Sequence, residues 1–115
     1  VDDWECLRPL AATGTLRMLS LSMNERLKAI PDAVFALRSL RHLIVGGTRV
    51  RAIPSEIRKL SNLESLGLAS TPVSSLPDAL DDLPTLRRVV LQHAAVPRKE
   101  LERARTRWPA IDFET

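Results

Sequence analysis

A pattern of nine apolar, threonine and proline positions occurs twice in the middle of this chain, at a constant shift. The two copies are Leu40, Leu43, Val45, Thr48, Val50, Ile53, Pro54, Ile57, Leu60 and Leu63, Leu66, Leu68, Thr71, Val73, Leu76, Pro77, Leu80, Leu83. Every position is displaced by 23 residues, as from Leu40 to Leu63. One unit of this length cannot bury its own apolar face, so neighbouring units must stack. The sequence therefore predicts a solenoid, an architecture that mostly binds other proteins.

The same register extends towards both ends of the chain. Upstream, it is continued by Leu16, Leu19, Leu21, Asn24, Leu27, Ile30, Pro31, Val34 and Leu37, with one extra residue between Asn24 and Leu27. Downstream, it is continued by Leu86, Val89, Leu91 and Val96, with Ala94 at the threonine position. The unit is LxxLxLxx(N/T)xVxx(I/L)Pxx(I/L)xxLxx, and about four units are close to the minimum for a stable stack.

We predict a single domain with three parts. Residues 1–15 form a partial repeat or an N-terminal cap, residues 16–96 form the repeats, and residues 97–115 form a C-terminal cap. Leu10 and Cys6 fall on apolar repeat positions when the register is counted backwards from the first full unit. This first segment is either a poor cap or the edge of a longer array, and we favour a fragment of a longer protein.

Each unit is expected to contain one short strand and one short helical return. Period-2 alternation predicts strands at Leu19–Leu21, Leu43–Val45, Leu66–Leu68 and Val89–Leu91. Strands that recur with a crossover between them must pair in parallel. Pro31, Pro54 and Pro77 suit the first helical position and predict helices or 3₁₀ turns on the convex side. A side chain at the Asn24, Thr48 and Thr71 position can satisfy backbone groups in the turn that leaves the strand.

The pattern after Val96 becomes helical. Leu101, Ala104 and Trp108 form one apolar stripe of a helix from about residue 97 to 108, which Pro109 ends. Residues 110–113 then resemble a last short strand. Together, this helix and strand predict a cap that shields the last repeat.

The repeat residues resemble those of the leucine-rich repeat superfamily over residues 16–96. Two groups are most similar: the repeat domains of plant intracellular immune receptors, for which the stretch Leu63–Thr71 is typical, and those of effectors that plant-pathogenic bacteria inject into host cells. Fourteen Arg against three Lys indicate a GC-rich genome and favour the bacterial group. The resemblance implies an α/β horseshoe with a concave parallel sheet, protein recognition and no catalytic residue. Some effectors of this kind carry a ubiquitin-ligase domain elsewhere in the chain.

Composition limits the classes of function. No apolar run approaches the roughly 18 residues of a membrane span, so no membrane partner is expected. The single Cys6 excludes an intramolecular disulfide and favours a reducing compartment. We therefore expect a cytoplasmic protein, or one delivered into a host-cell cytosol if it is a bacterial effector.

The candidate chemical groups all have simpler structural interpretations. His42 and His93 lack partners at metal-ligand spacing and are interpreted as solvated surface residues. Gly46 and Gly47 lack the rest of a phosphate-binding loop and are interpreted as a tight turn. Asp81 and Asp82 are interpreted as solvated charge on the convex side. We expect no enzymatic activity, no cofactor, no metal and no small-molecule substrate.

The basic charge balance raises the possibility of nucleic acid binding. Net charge is +3 and the isoelectric point is about 9.7, with five cations between Arg98 and Arg107. Glu100 and Glu102 interleave with these cations, and Glu100 is expected to pair with Arg103. Stacking aromatic residues are scarce, so the sequence favours a solvated helix face over a nucleic-acid-binding surface.

Residues between the inward apolar positions of the strands should project from the concave face. They form three rows, which we predict to bind a partner protein and together call the concave face: Met18, His42, Ser65, Arg88; Ser20, Ile44, Gly67, Val90; and Ser22, Gly46, Ala69, Gln92. These twelve residues include no carboxylate. The border holds Arg17, Arg41 and Arg87, with Glu64 as the exception, so an acidic or neutral partner with salt-sensitive association is expected.

The middle row predicts a small dent. Ile44 and Val90 would form apolar walls on either side of Gly67, a residue type that often marks close approach by a ligand. The alternative interpretation is that Gly67 is tolerated without a role and that the dent is empty. The alternatives to a protein-recognition module are a sensor domain of a plant-type immune receptor, a structural scaffold and a basic nucleic-acid-binding surface.

Overall fold

The computed structural model describes residues 16–115, in which five short strands form one parallel sheet. The strands are β1 (Met18–Ser20), β2 (His42–Ile44), β3 (Ser65–Gly67), β4 (Arg88–Val90) and β5 (Asp112–Glu114), and they pair in sequence order. The predicted cap or partial repeat at residues 1–15 lies outside the described residues. The division of the chain at residue 96 stays a prediction.

The 23-residue period sets the register of the sheet. Leu43 pairs with Leu66 and Leu66 pairs with Val89, and all three side chains are completely buried. Strands β1 to β4 each begin one residue earlier than predicted, whereas β5 begins two residues later than predicted. The residue after each strand nevertheless continues the ladder, since the N–H of Val45 donates to the carbonyl of Gly67 at 2.8 Å.

Three 3₁₀ segments return the chain on the opposite side: Asp32–Ala36, Ser55–Lys59 and Asp78–Asp82. The prolines stand just before each segment, with extended backbone angles, and not at the first helical position as predicted. Proline still suits the start of each return. The carbonyl of Pro31 accepts a hydrogen bond from Val34 N–H at 3.0 Å, and proline has no backbone N–H that would need an acceptor.

The repeats end in α1 (Arg98–Arg107) followed by β5. Ala104 and Trp108 are buried on the inner side of the helix, and the Trp108 ring lies 6.3 Å from the ring of Phe113. Leu101 is half-buried against the same core. This confirms the predicted solenoid, with its parallel sheet, 3₁₀ returns and closing helix plus strand.

Candidate protein-binding face

The register of the sheet places the twelve predicted residues in three aligned rows on one face. Met18 aligns with His42, Ser65 and Arg88 in the first row, and the second row aligns in the same way from Ser20 to Val90. Backbone bonds beyond the strand ends keep the third row in line, as between Gly47 N–H and the carbonyl of Ala69 at 2.9 Å. All twelve are half-buried or exposed. Their role in binding stays a prediction.

The face carries carboxylates that the sequence argument did not include. Strand β5 extends the first row with Asp112 beside Arg88, and the second row with Glu114 beside Val90. Arg88 Nη2 lies 2.6 Å from Glu114 Oε2, so this arginine is ion-paired within the chain. The expectation of a carboxylate-free surface therefore holds for the strands β1 to β4 alone. The three rows were predicted from the repeat units, and Asp112 and Glu114 lie on β5, which is outside the repeat pattern.

His42 is tied to its neighbour on the next strand. Its Nδ1 lies 2.7 Å from Ser65 Oγ, and both residues are half-buried. His42 is therefore only partly solvated, and its side chain belongs to a cross-strand pair. The pair fixes two adjacent positions of the first row, which favours a defined surface over a mobile one.

The predicted dent over Gly67 is narrower than the strand spacing suggests. A Cβ built on Gly67 would lie 3.2 Å from Cγ2 of Ile44, so the isoleucine leans over the glycine. Ile44 and Val90 are both half-buried. An occupant of this space would have to displace the Ile44 side chain.

The turn after each of the first four strands uses one residue in the left-handed conformation. These residues are Met23, Gly47, Ser70 and His93, with φ between 56° and 69°. Gly47 suits this conformation because it has no Cβ, and the predicted tight turn is confirmed. The other three residues adopt it at a steric cost. Their equivalence was not seen in the sequence, since glycine occurs at only one of the four positions.

Polar side chains close these turns as predicted. Thr48 Oγ1 donates to the carbonyl of Val45 and Thr71 Oγ1 to that of Leu68, both at 2.7 Å. In the first unit, Asn24 Nδ2 donates to the carbonyl of Leu21 at 2.6 Å. Both threonines are buried, so these bonds satisfy hydroxyl groups that water does not reach.

Two of the basic side chains of α1, Arg103 and Arg107, contact the third repeat unit. Arg103 pairs with Glu100 as predicted, with Nη2 to Oε2 at 2.8 Å. Glu100 also accepts from Leu76 N–H at 2.9 Å. The hydrogen bond from Arg103 lowers the pKa of Glu100, and the bond from Leu76 N–H lowers it further. Partial burial acts in the opposite direction, and the resulting pKa is about 2.

Asp81 is exposed on the convex side, as predicted, and it is also a second anchor of the helix. It accepts a hydrogen bond from Trp108 Nε1 at 2.6 Å and pairs with Arg107, which also reaches Asp78 at 2.7 Å. The bonds from Arg107 and then Trp108 lower the pKa of Asp81. The sequence offered no local signal for these contacts, because they join residues separated by 26 to 29 positions.

Among residues 16–115, no group of three His, Cys, Asp or Glu side chains is placed to hold a metal ion. No helix in that part of the chain is both long enough and apolar enough to cross a membrane.

Solved structures that resemble this one include two bacterial proteins. A leucine-rich repeat protein of Leptospira interrogans matches 87% of this chain at 28% identity, with a TM-score of 0.79, and an internalin of Listeria monocytogenes matches 83% at 20% identity, with a TM-score of 0.64. The chain spans 25% of the first protein and 27% of the second. No protein-family model and no curated protein matches the sequence.

The two structural matches agree with the 23-residue pattern, the five-stranded parallel sheet and the 3₁₀ returns. The resemblance to leucine-rich repeats is therefore confirmed at the level of the fold. Neither match bears on the narrower resemblance to plant-pathogen effectors or immune receptors. This chain has a leucine-rich repeat fold.

Proposed function

We propose that this chain is a protein-recognition module that binds a partner protein through the concave face. The observation that carries this proposal is the alignment of its twelve residues in three rows on one open side of the sheet. Met18 is 55% exposed, and Ile44 and Val90 are half-buried among small side chains. Apolar groups next to small and polar ones suit the contact area of a protein interface.

The charges around the face define the partner surface that fits it. Arg17 and Arg87 lie one residue before β1 and β4, whereas Arg41 lies 3.7 Å from Glu64. Asp112 and Glu114 add negative charge at the β5 end. An acidic or neutral partner surface is expected against β1 to β4, with contacts near β5 that tolerate carboxylates. Association should weaken with salt, because these charges are exposed.

We further propose that the parent protein is a bacterial effector and that this segment is its target-binding part. The excess of Arg over Lys, fourteen against three, supports this proposal. Its site of action would be the cytosol of a host cell, and any catalytic activity would lie outside these residues. A nucleotide-binding domain in the parent protein would instead favour a plant-type immune receptor, and the absence of target binding would favour a scaffold.

Site-specific photo-crosslinking tests which side of the solenoid meets the partner. A photoreactive amino acid placed at Ser20 or Gln92, both exposed on the concave face, should capture a host-cell protein. The same amino acid at Ser55, exposed on the second 3₁₀ segment, is the matched control and should capture little. Excess unlabelled chain should compete with the captured species.

Some crosslinking results would contradict the proposal that the concave face binds the partner. Equal capture from the concave and convex positions, or specific capture from Ser55 alone, would show that the concave face is not the binding surface. Capture that unlabelled chain does not reduce would show that the contact is non-specific.

A further inference from the structure

Four exposed cations lie together on the side of the solenoid where the strands end. They are Arg26, Lys28, Arg49 and Arg51, which we call the lateral basic surface. The N–H of Arg49 donates to the carbonyl of Leu27 at 2.8 Å, so the two segments run side by side. Leu27 and Val50 are buried between the cations, which directs the charged side chains outward.

This arrangement places the four charges at the corners of a small grid. Neighbouring units are separated by roughly 5 Å, and the shift of 23 residues places Arg26 next to Arg49 and Lys28 next to Arg51. Within residues 16–115, none of the four cations forms an ion pair with a carboxylate. Like charges at this spacing that have no carboxylate partner among the described residues repel one another and do not stabilise that part of the fold.

The cluster is local, although the repeat continues. In the third unit the equivalent positions are Pro72 and Ser74, and in the fourth they are Ala95 and Pro97. Positive charge is therefore concentrated on two adjacent units and is not a general property of this side of the solenoid.

Surface clefts run between the charged side chains. One of about 610 Å³ is lined by Arg26, Lys28 and Arg49, with Glu25 at the same site, and one of about 430 Å³ by Lys28, Arg49 and Arg51. The spaces between the cations are open to a chain that carries negative groups.

We propose that the lateral basic surface binds an extended acidic segment of a partner protein, with carboxylates at alternate positions. Alternate side chains of an extended peptide lie on one face, so carboxylates at alternate positions can meet several of these cations together. Three of the four cations are arginines, whose guanidinium groups bind carboxylates with two parallel hydrogen bonds.

The surroundings favour a protein ligand over nucleic acid. Binding of single strands usually depends on exposed aromatic rings on which bases stack. The described aromatic side chains are Phe35, Trp108 and Phe113, and all three are buried. This lateral site is separate from the concave face, so the two can be tested with different variants.

The test uses the full chain and a fluorescent dodecapeptide of alternating Glu and Ser as the probe. The Arg49→Gln/Arg51→Gln variant should bind this peptide roughly five- to tenfold more weakly, since two exposed charge contacts are lost. The matched control, Arg38→Gln/Lys59→Gln, removes the same charge from exposed positions elsewhere and should change affinity less than about twofold. Circular dichroism should show both variants folded.

Three results would overturn the proposal. They are equal weakening by the control variant, no binding of the Glu-Ser peptide to the unaltered chain, and equally tight binding of the same peptide with Gln in place of Glu. An oligothymidylate of equal charge serves as the competing ligand. If it bound more tightly than the peptide and lost affinity in the Arg49→Gln/Arg51→Gln variant, the ligand class would be nucleic acid and the assignment to a protein segment would be wrong.

Discussion

Leu66 and Thr71 are both buried, but they stabilise the fold in different ways. Leu66 has no exposed surface in an aliphatic core, whereas Thr71 provides one hydrogen bond to a turn carbonyl. Leu66→Ala should lower the free energy of unfolding by about 2–5 kcal/mol through lost burial and a cavity. Thr71→Ala should cost about 1 kcal/mol. Thermal melts of the two variants check this ranking, and a larger loss for Thr71→Ala would show that the assigned register is wrong.

The left-handed residues in the turns after the strands predict a substitution that should increase the stability of the protein. Ser70 has φ of 56°, and its N–H bond to the carbonyl of Gln92 would be kept by glycine. Ser70→Gly should stabilise the protein by about 0.5–1 kcal/mol, because relief of left-handed strain exceeds the entropy lost by glycine. Gly47→Ala, at φ of 69°, should destabilise by about 1 kcal/mol.

Urea unfolding measures both changes. The control is Ser74→Gly at an exposed position outside this turn, which should be slightly destabilising because it adds unfolded-state freedom without relieving strain. Destabilisation by Ser70→Gly as large as that of the control would contradict the strain argument.

At the scale of elements, α1 is held to the last repeat by charged hydrogen bonds. Glu100 connects Arg103 with the backbone of Leu76. Asp81 accepts hydrogen bonds from the side chains of Trp108 and Arg107. The pKa of Glu100 falls from 4.5 to about 2 on folding, so the folded state favours the ionised carboxylate. This stabilisation is complete above the unfolded-state pKa and is lost as the pH falls from about 4.5 to about 2.

Glu100→Gln should therefore remove part of the acid sensitivity of the protein. The expected loss of stability at neutral pH is about 1–2 kcal/mol, after allowance for solvent screening, and the difference from the unaltered chain should shrink towards pH 2. Urea titrations at several pH values measure it. Glu102→Gln, which removes an exposed carboxylate on the same helix, is the control. Parallel pH profiles for the unaltered chain and Glu100→Gln would contradict the assignment.

The helices and strands could be predicted from the sequence where a periodic pattern determined them. Contacts between residues far apart in the sequence could not be predicted. The i, i+3 spacing indicated the pair of Glu100 with Arg103, and the stripe ending at Trp108 indicated the buried side of α1. The bond from Trp108 to Asp81 depends on how the helix docks on the third 3₁₀ segment, which no local pattern encodes. The sequence predicted each proline as the first residue of a 3₁₀ segment, whereas each proline lies one residue before its segment. The reason is that the proline carbonyl can accept the first hydrogen bond of the turn although the proline itself is outside the turn.

At the scale of the molecule, one aliphatic core extends from the first described unit to β5. It includes Leu21 near one end and Phe113 at the other, with Leu43, Leu66 and Val89 stacked between them. Because each unit buries its apolar face on its neighbours, the constant period is sufficient to place all twelve residues of the concave face. The charge of that face was less predictable, because Asp112 and Glu114 come from a strand outside the repeat pattern.

The central claim is that a partner protein binds the concave face, and methyl NMR tests it most directly. The partner captured by crosslinking would be titrated into the chain labelled at Met, Ile, Val and Ala methyl groups. The signals of Met18, Ile44 and Val90 should shift or broaden, while that of Ala36, exposed on the first 3₁₀ segment, should stay unchanged. A shift of Ala36 with the three concave-face signals unchanged would contradict the account.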